Sequence, residues 1–179
     1  MGDPRDLTLE ELDGRIGEGW GGELPNGSHI NLVIARRGSP TAAAIVGALA
    51  SPRPGHMPYL AVVEPGVLVR PITVVVNKVT LGEDLLDRMT WGAAQLGISQ
   101  GVLDAVAEAL LDPALAGSLV LLAALWLDPK VDDETAVRIA SRVATRAAVE
   151  DALTDRSADF VRGVADRREH AASRFYGGR

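Results

Sequence analysis

The sequence predicts an α+β fold: two layers, with a mixed sheet covered by helices on one side. Three observations carry this. Short Val- and Leu-rich runs bounded by Gly and Pro read as strands, alanine-rich stretches with a 3.6-residue apolar period read as helices, and the two kinds interleave without a repeat or a low-complexity segment. At 179 residues one domain is the default. We place it at residues 15–153, preceded by an extension at 1–14 and followed by a charged, arginine-rich tail at 154–179.

Residues 8–14 carry a Thr-x-x-Glu helix start, but glycines at 14, 17, 19, 21 and 22 forbid a long helix. A short helix or coil, then an irregular strand at 15–20, follows. Asn26-Gly27 is a hairpin-type turn signal leading into "SHINLVI", so the two strands should pair antiparallel. In a strand, residues two apart share a face. His29, Asn31 and Val33 therefore point one way, and Ile30, Leu32 and Ile34 the other.

"RGSPTAAAIVGALA" opens a helix with Ser39 as N-cap and Pro40 at the first helical position; Pro52, Pro54 and Gly55 close it. "YLAVVEP" at 59–65 and "ITVVVNKVTL" at 72–81 read as strands, the second with Asn77, Lys78 and Thr80 at its far end. Residues 82–111 turn helical, with a break expected at Trp91-Gly92 and a stripe through Val102, Val106 and Leu110. "SLVLLAALWL" is a buried strand or a buried helix, since periodicity does not separate them. "VDDETAVRIASRVATRAAVEDAL" is the best helix in the chain, with Val137, Ala140, Val143 and Ala144 on one face.

Composition narrows the function. The chain has no cysteine, which removes thiol nucleophiles, disulfides and cysteine-ligated metals. His29, His56 and His170 show no metal-ligand spacing, so no metal is expected. A net charge of -6 argues against nucleic acid as partner. The longest apolar run, at 119–127, is about half of the roughly 20 residues a membrane helix requires, and the acidic start does not resemble a signal peptide; a soluble, cytoplasmic protein is the expectation. Of 18 basic residues, Lys78 and Lys130 are the lysines and the rest are arginines, a bias that fits a GC-rich coding sequence and draws attention to a lysine kept inside a valine run.

Five polar side chains could carry chemistry. His29, with an ordinary pKa of about 6.5, is the natural proton donor near neutrality; the alternative is a histidine at a sheet edge or subunit contact. Asn31 beside it can hydrogen-bond but cannot ionise. Lys78 is an electrostatic clamp, a desolvated amine, or a strand-end lysine reaching back to water. Gln95 lies among small residues that let a ligand approach, or at a helix surface, and Thr80 follows Lys78. His56 and His170 sit in a loop and in the tail, and neither receives a role.

In order, "SHINLVIARRGSP", "YLAVVEP", "VNKVTL" and "WGAAQLGISQGVLDAVAEAL" resemble the blocks of the formaldehyde-activating enzyme family, over about residues 17–153. The resemblance implies a fold like the second domain of ribosomal protein S5, a homopentamer with sites between subunits, and metal-free condensation of formaldehyde with tetrahydromethanopterin. It also implies His29 as proton donor and Asn31, Leu60, Lys78, Thr80 and Gln95 as substrate contacts, Leu60 as apolar wall. Two positions depart from the pattern: the family's aspartate is Asn31, and the histidine after its glutamine is Leu96. The expectation is therefore a His29 stripped of its carboxylate, with a lowered pKa. A different aldehyde and amine, or a non-catalytic carrier or sensor, are the alternatives.

Overall fold

The computed structural model describes residues 7–82, 84–154 and 156–173. Its centre is a five-stranded mixed sheet in the order β1-β2-β7-β6-β3, formed by β1 (Ile16–Gly21), β2 (Ser28–Arg36), β7 (Leu119–Leu127), β6 (Ile72–Asn77) and β3 (Tyr59–Leu60). Neighbours pair antiparallel except β6 with β7, which run parallel. The ambiguous apolar run is thus the central strand. It is paired on both edges, and it shows no polar alternation because both faces pack: Leu119, Leu121, Ala123, Leu125 and Leu127 lie in the main core, and Val120 and Leu122 in a second apolar cluster.

Two long helices, α4 (Gln95–Ala107) and α5 (Glu134–Leu153), cover one face. Ile30, Leu32 and Ile34 of β2 are wholly buried against Ile98, Val102, Ala144 and Val149 of that layer. Burying each such side chain contributes about 1.5–3 kcal/mol, and a one-residue slip would turn all three to the other side. Packing on the helical face therefore fixes which way His29 and Asn31 point. The smaller helix α2 (Pro40–Leu49), capped by Ser39, whose hydroxyl accepts from the Ala42 amide, packs across one end of the opposite face against Ala35, Val74 and Val120.

β1 shows how a glycine-rich segment can be a strand. A Cβ on Gly17, Gly19 or Gly21 would lie 2.1, 2.0 and 2.0 Å from the carbonyl oxygens of Ala148, Ala144 and Ala140. Two strand residues advance about 6.6 Å and four helix residues about 6 Å, so alternate glycines and every fourth alanine stay nearly in step. Helix α5 lies directly on the strand backbone. The glycines are there for close approach, and Glu18 and Trp20 between them face the other way.

The short helix at the start is α1 (Leu9–Leu12), capped by Thr8; other expectations are revised. The segment at 59–65 is split at Ala61: β3 joins the main sheet, and β4 (Val62–Glu64) folds back on β5 (Val67–Leu68) as a separate hairpin. The strand at 72–81 ends at Asn77, whose buried side chain donates to the carbonyls of Gly55 and Val79, both at 2.6 Å, and so binds the 50s loop to a turn. The expected break at Trp91-Gly92 is a π-helical turn, Met89–Ala94, that joins α3 (Asp84–Arg88) to α4 without interruption. On α5 the buried stripe takes Val137, Ala140, Ala144 and Ala148, while Val143 is about half exposed. The hairpin before β2 spans residues 22–27; Asn26 holds it to the start of α5, its Oδ1 accepting from the Asp132 and Asp133 amides. Beyond α5, α6 (Ala158–Asp166) buries none of its residues.

Candidate functional site

Among the described residues, no helix covers the face opposite α4 and α5 beyond the reach of α2, and there the odd residues of β2 meet the even residues of β1. Glu18 pairs with Asn31 and Trp20 with His29 across the ladder, and Trp126 of β7 flanks His29 on the other side. The His29 ring stacks on Trp20 with centroids 4.3 Å apart and an interplanar angle of 14°. Its Nε2 lies 3.0 Å from Glu18 Oε1, which also accepts 2.8 Å from the Trp20 indole N–H. On the ring's other side Nδ1 is 2.9 Å from Lys78 Nζ, and the same amine donates 2.9 Å to Asn31 Oδ1.

Lys78 reaches this cluster because the chain leaves β6 in a fixed way. Its amide donates to Leu125 O at 2.7 Å, one step past the last ladder pair, while Asn77 turns inward and Lys78 outward. Burial pushes the Lys78 ammonium below its ordinary pKa, against the pull of Glu18. The His29 imidazolium is likewise held below its ordinary pKa, first by burial, then by repulsion from Lys78; Glu18 acts in the opposite sense. With only 17% of the His29 side chain exposed against 56% of Glu18's, the histidine sits between an open carboxylate and a sheltered amine.

A largely apolar groove with a few polar side chains lies on the other side of the sheet. Gln95 donates to Val62 O at 2.7 Å and to Ser99 Oγ at 3.0 Å. Together with Leu96, Arg88, Arg138 and β4 it lines a cavity of about 640 Å³. Among the described residues no group of three His, Cys, Asp or Glu is placed to hold a metal ion, and no helix is long and apolar enough to cross a membrane.

The model of the formaldehyde-activating enzyme family matches residues 16–173. The chain belongs to the formaldehyde-activating enzyme family. It is 34% identical, over 73% of its own length and 74% of the relative's, to a 5,6,7,8-tetrahydromethanopterin hydro-lyase of Methanosarcina barkeri. Bifunctional Fae/Hps enzymes of Archaeoglobus fulgidus and Methanospirillum hungatei are 32% and 35% identical to it, and the match covers about a third of their length.

Of the six positions that the family resemblance nominates, the structure brings three together: His29, Asn31 and Lys78. Leu60 lies on the same sheet face, half-buried against the α2 cluster. Exposed Thr80 is 3.3 Å from His56 Nε2, and the other nitrogen of that ring is 3.0 Å from Asn77 O, so His56, which the sequence left without a role, props the loop carrying Lys78 and Thr80. Gln95 belongs to α4, on the far side of the sheet. The expectation of a His29 without a carboxylate is corrected: Glu18 supplies one from β1. The signal for it was the period-two spacing of glycines in "IGEGWG", which leaves Glu18 and Trp20 as the outward side chains of a strand.

Proposed function

We propose that this protein condenses formaldehyde with tetrahydromethanopterin, or a related reduced pterin with two neighbouring amine nitrogens, to the methylene adduct and water. Family membership and the hydro-lyase relative support the substrates. The observation that carries the reading is an imidazole held between a carboxylate and an amine on an open sheet face. A pterin amine adds to formaldehyde to give a carbinolamine, and the hydroxyl must leave as water before the second nitrogen closes the ring. His29 protonates that hydroxyl. Lys78, Asn31 and Thr80 orient the reacting groups, since two nitrogens have to meet one carbon, and Leu60 supplies apolar wall.

The separation of Gln95 from His29 by the thickness of the sheet supports a site completed by a second copy. In this reading the His29 face of one subunit meets the Gln95 groove of its neighbour within a homopentamer. The test is the rate of methylene-tetrahydromethanopterin formation over the spontaneous background. The protein should accelerate it, and His29→Ala should lose about a hundredfold to ten-thousandfold, the usual worth of a general acid. No acceleration by the folded oligomer would overturn the reading in favour of another aldehyde and amine, or of a carrier or sensor.

A further inference from the structure

Glu18, His29 and Lys78 form a continuous line of hydrogen bonds, and its polarity can be assigned. An ammonium donates only, so His29 Nδ1 receives the Lys78 proton and carries none of its own. Nε2 then bears the ring hydrogen and donates it to Glu18, 3.0 Å away. This is the logic of a hydrolase triad, in which a carboxylate fixes the tautomer that aims the other ring nitrogen at a nucleophile. Here the third member is an amine.

We propose that Glu18, His29 and Lys78 are a triad that activates Lys78 as a nucleophile, so that formaldehyde is first captured as a covalent iminium on Lys78 and then passed to the amine substrate. The proposal rests on the reading above in taking formaldehyde as the aldehyde. Three features of the site support it. The amine's two partners at 2.9 Å are an amide oxygen and an imidazole nitrogen, neither of them a carboxylate that would hold it as a permanent ammonium. The side chain is partly shielded from solvent, which lowers the cost of losing the charge. The imidazole is already on the nitrogen whose proton must leave.

The steps balance without an oxidant or reductant. His29 Nδ1 takes a proton from the Lys78 ammonium, and the freed nitrogen pair attacks the formaldehyde carbon while the carbonyl π pair moves to oxygen. A proton passes from the new ammonium to that oxygen, giving a neutral carbinolamine beside an imidazolium. His29 returns its proton to the hydroxyl, the C–O bond breaks, the nitrogen pair forms C=N, and water leaves. A substrate amine adds to the iminium carbon and passes its proton to the Lys78 nitrogen, Lys78 departs as the free amine, and a second substrate nitrogen closes the methylene bridge, its released proton restoring the Lys78 ammonium. Glu18 touches none of the reacting atoms and is a positioning residue.

The experiment uses the full chain with 13C-formaldehyde and cyanoborohydride, without pterin, read by peptide mass mapping. Reduction of an iminium leaves a labelled methyl group on the amine that formed it. Lys130, exposed on a loop, is an internal reference, and Lys78 should be labelled at least about tenfold faster near neutral pH, because burial lowers its pKa and leaves more of it as the free amine. Asn31→Asp, which sets a carboxylate against the amine, should slow that labelling about tenfold. Lys78→Arg keeps the cation but forms no iminium, and should lose the acceleration of methylene-pterin formation. Lys78 labelled no faster than Lys130, or full activity in Lys78→Arg, would overturn the triad while leaving the proposed function in place. Fast labelling of Lys78 in a protein that does not accelerate the pterin reaction would support the triad and overturn that function instead.

Discussion

The two faces of β1 differ in what they tolerate. One presents Gly17, Gly19 and Gly21 to α5 with no room for a methyl group; the other presents Glu18 and Trp20 to open space and to His29. Six residues therefore do two unrelated jobs, sealing a helix onto the sheet and aiming a histidine. The lesson is that the sealed face sets the accuracy of the open one. His29 is as well placed as the β1–β2 register, and that register is held by the helix behind it.

Breaking the sealed face should have the largest effect. In Gly19→Val the new Cβ meets the Ala144 carbonyl oxygen at 2.0 Å and the Ala148 nitrogen at 2.6 Å, both backbone atoms of a 20-residue helix. Neither can yield as a side chain would, so we expect a loss of about 3 kcal/mol or more. That is a large part of the stability of a domain this size. Thermal unfolding should fall by about 10 °C, or the protein should be recovered insoluble. A variant that melts like the parent would show that α5 does not sit on β1 as described.

How far the sequence reveals this can be judged from particular residues. The alternation in "SHINLVI" placed His29 and Asn31 on one face correctly, because a period of two against three large aliphatics has a single physical solution. Ser39 and Pro40 placed α2 for an equally local reason. Glu18 escapes the sequence reading because the glycines around it serve there only to exclude a long helix, whereas their period of two marks contact with a helix far along the chain, at Ala140, Ala144 and Ala148. The end of β6 was missed for a related reason, since Asn77 stops the strand through bonds to Gly55 and Val79 that need the folded loop. The family resemblance nominated Lys78 and Gln95 alike, yet only the strand order shows that one joins His29 and the other lies behind the sheet.

The open face is sharpened by Glu18→Gln, which should leave the fold intact and change the pH dependence. The charged groups facing His29 are Glu18 from β1 and Lys78 after β6; Asn31, Ala124 and Trp126 on the adjoining strands are neutral. Glu18 raises the imidazole pKa against burial and Lys78. His29 has to be neutral to accept the Lys78 proton, so Lys78 labelling rises as pH climbs through the depressed His29 value. Removing the carboxylate lowers that value further. The acidic limb should move to lower pH, while the plateau falls about tenfold to a hundredfold as the ring loses its fixed tautomer. A fall in plateau with an unmoved limb would make Glu18 structural only.

The smallest effect comes from a glycine that seals nothing. Gly47 is exposed on α2, with no atom within 4 Å of where its Cβ would stand. It has ordinary helical backbone, so Gly47→Ala introduces neither a clash nor strain. It removes conformational freedom from the unfolded chain and so should stabilise by about 0.5–1 kcal/mol, at the lower end because the helix ends two residues later. The expected gain is about 2 °C in Tm with unchanged formaldehyde labelling of Lys78. Set beside Gly19→Val, it separates glycines of composition from glycines of contact. A loss of stability in Gly47→Ala would mean that α2 is covered in the assembled protein, its small residues then belonging to a second sealed face.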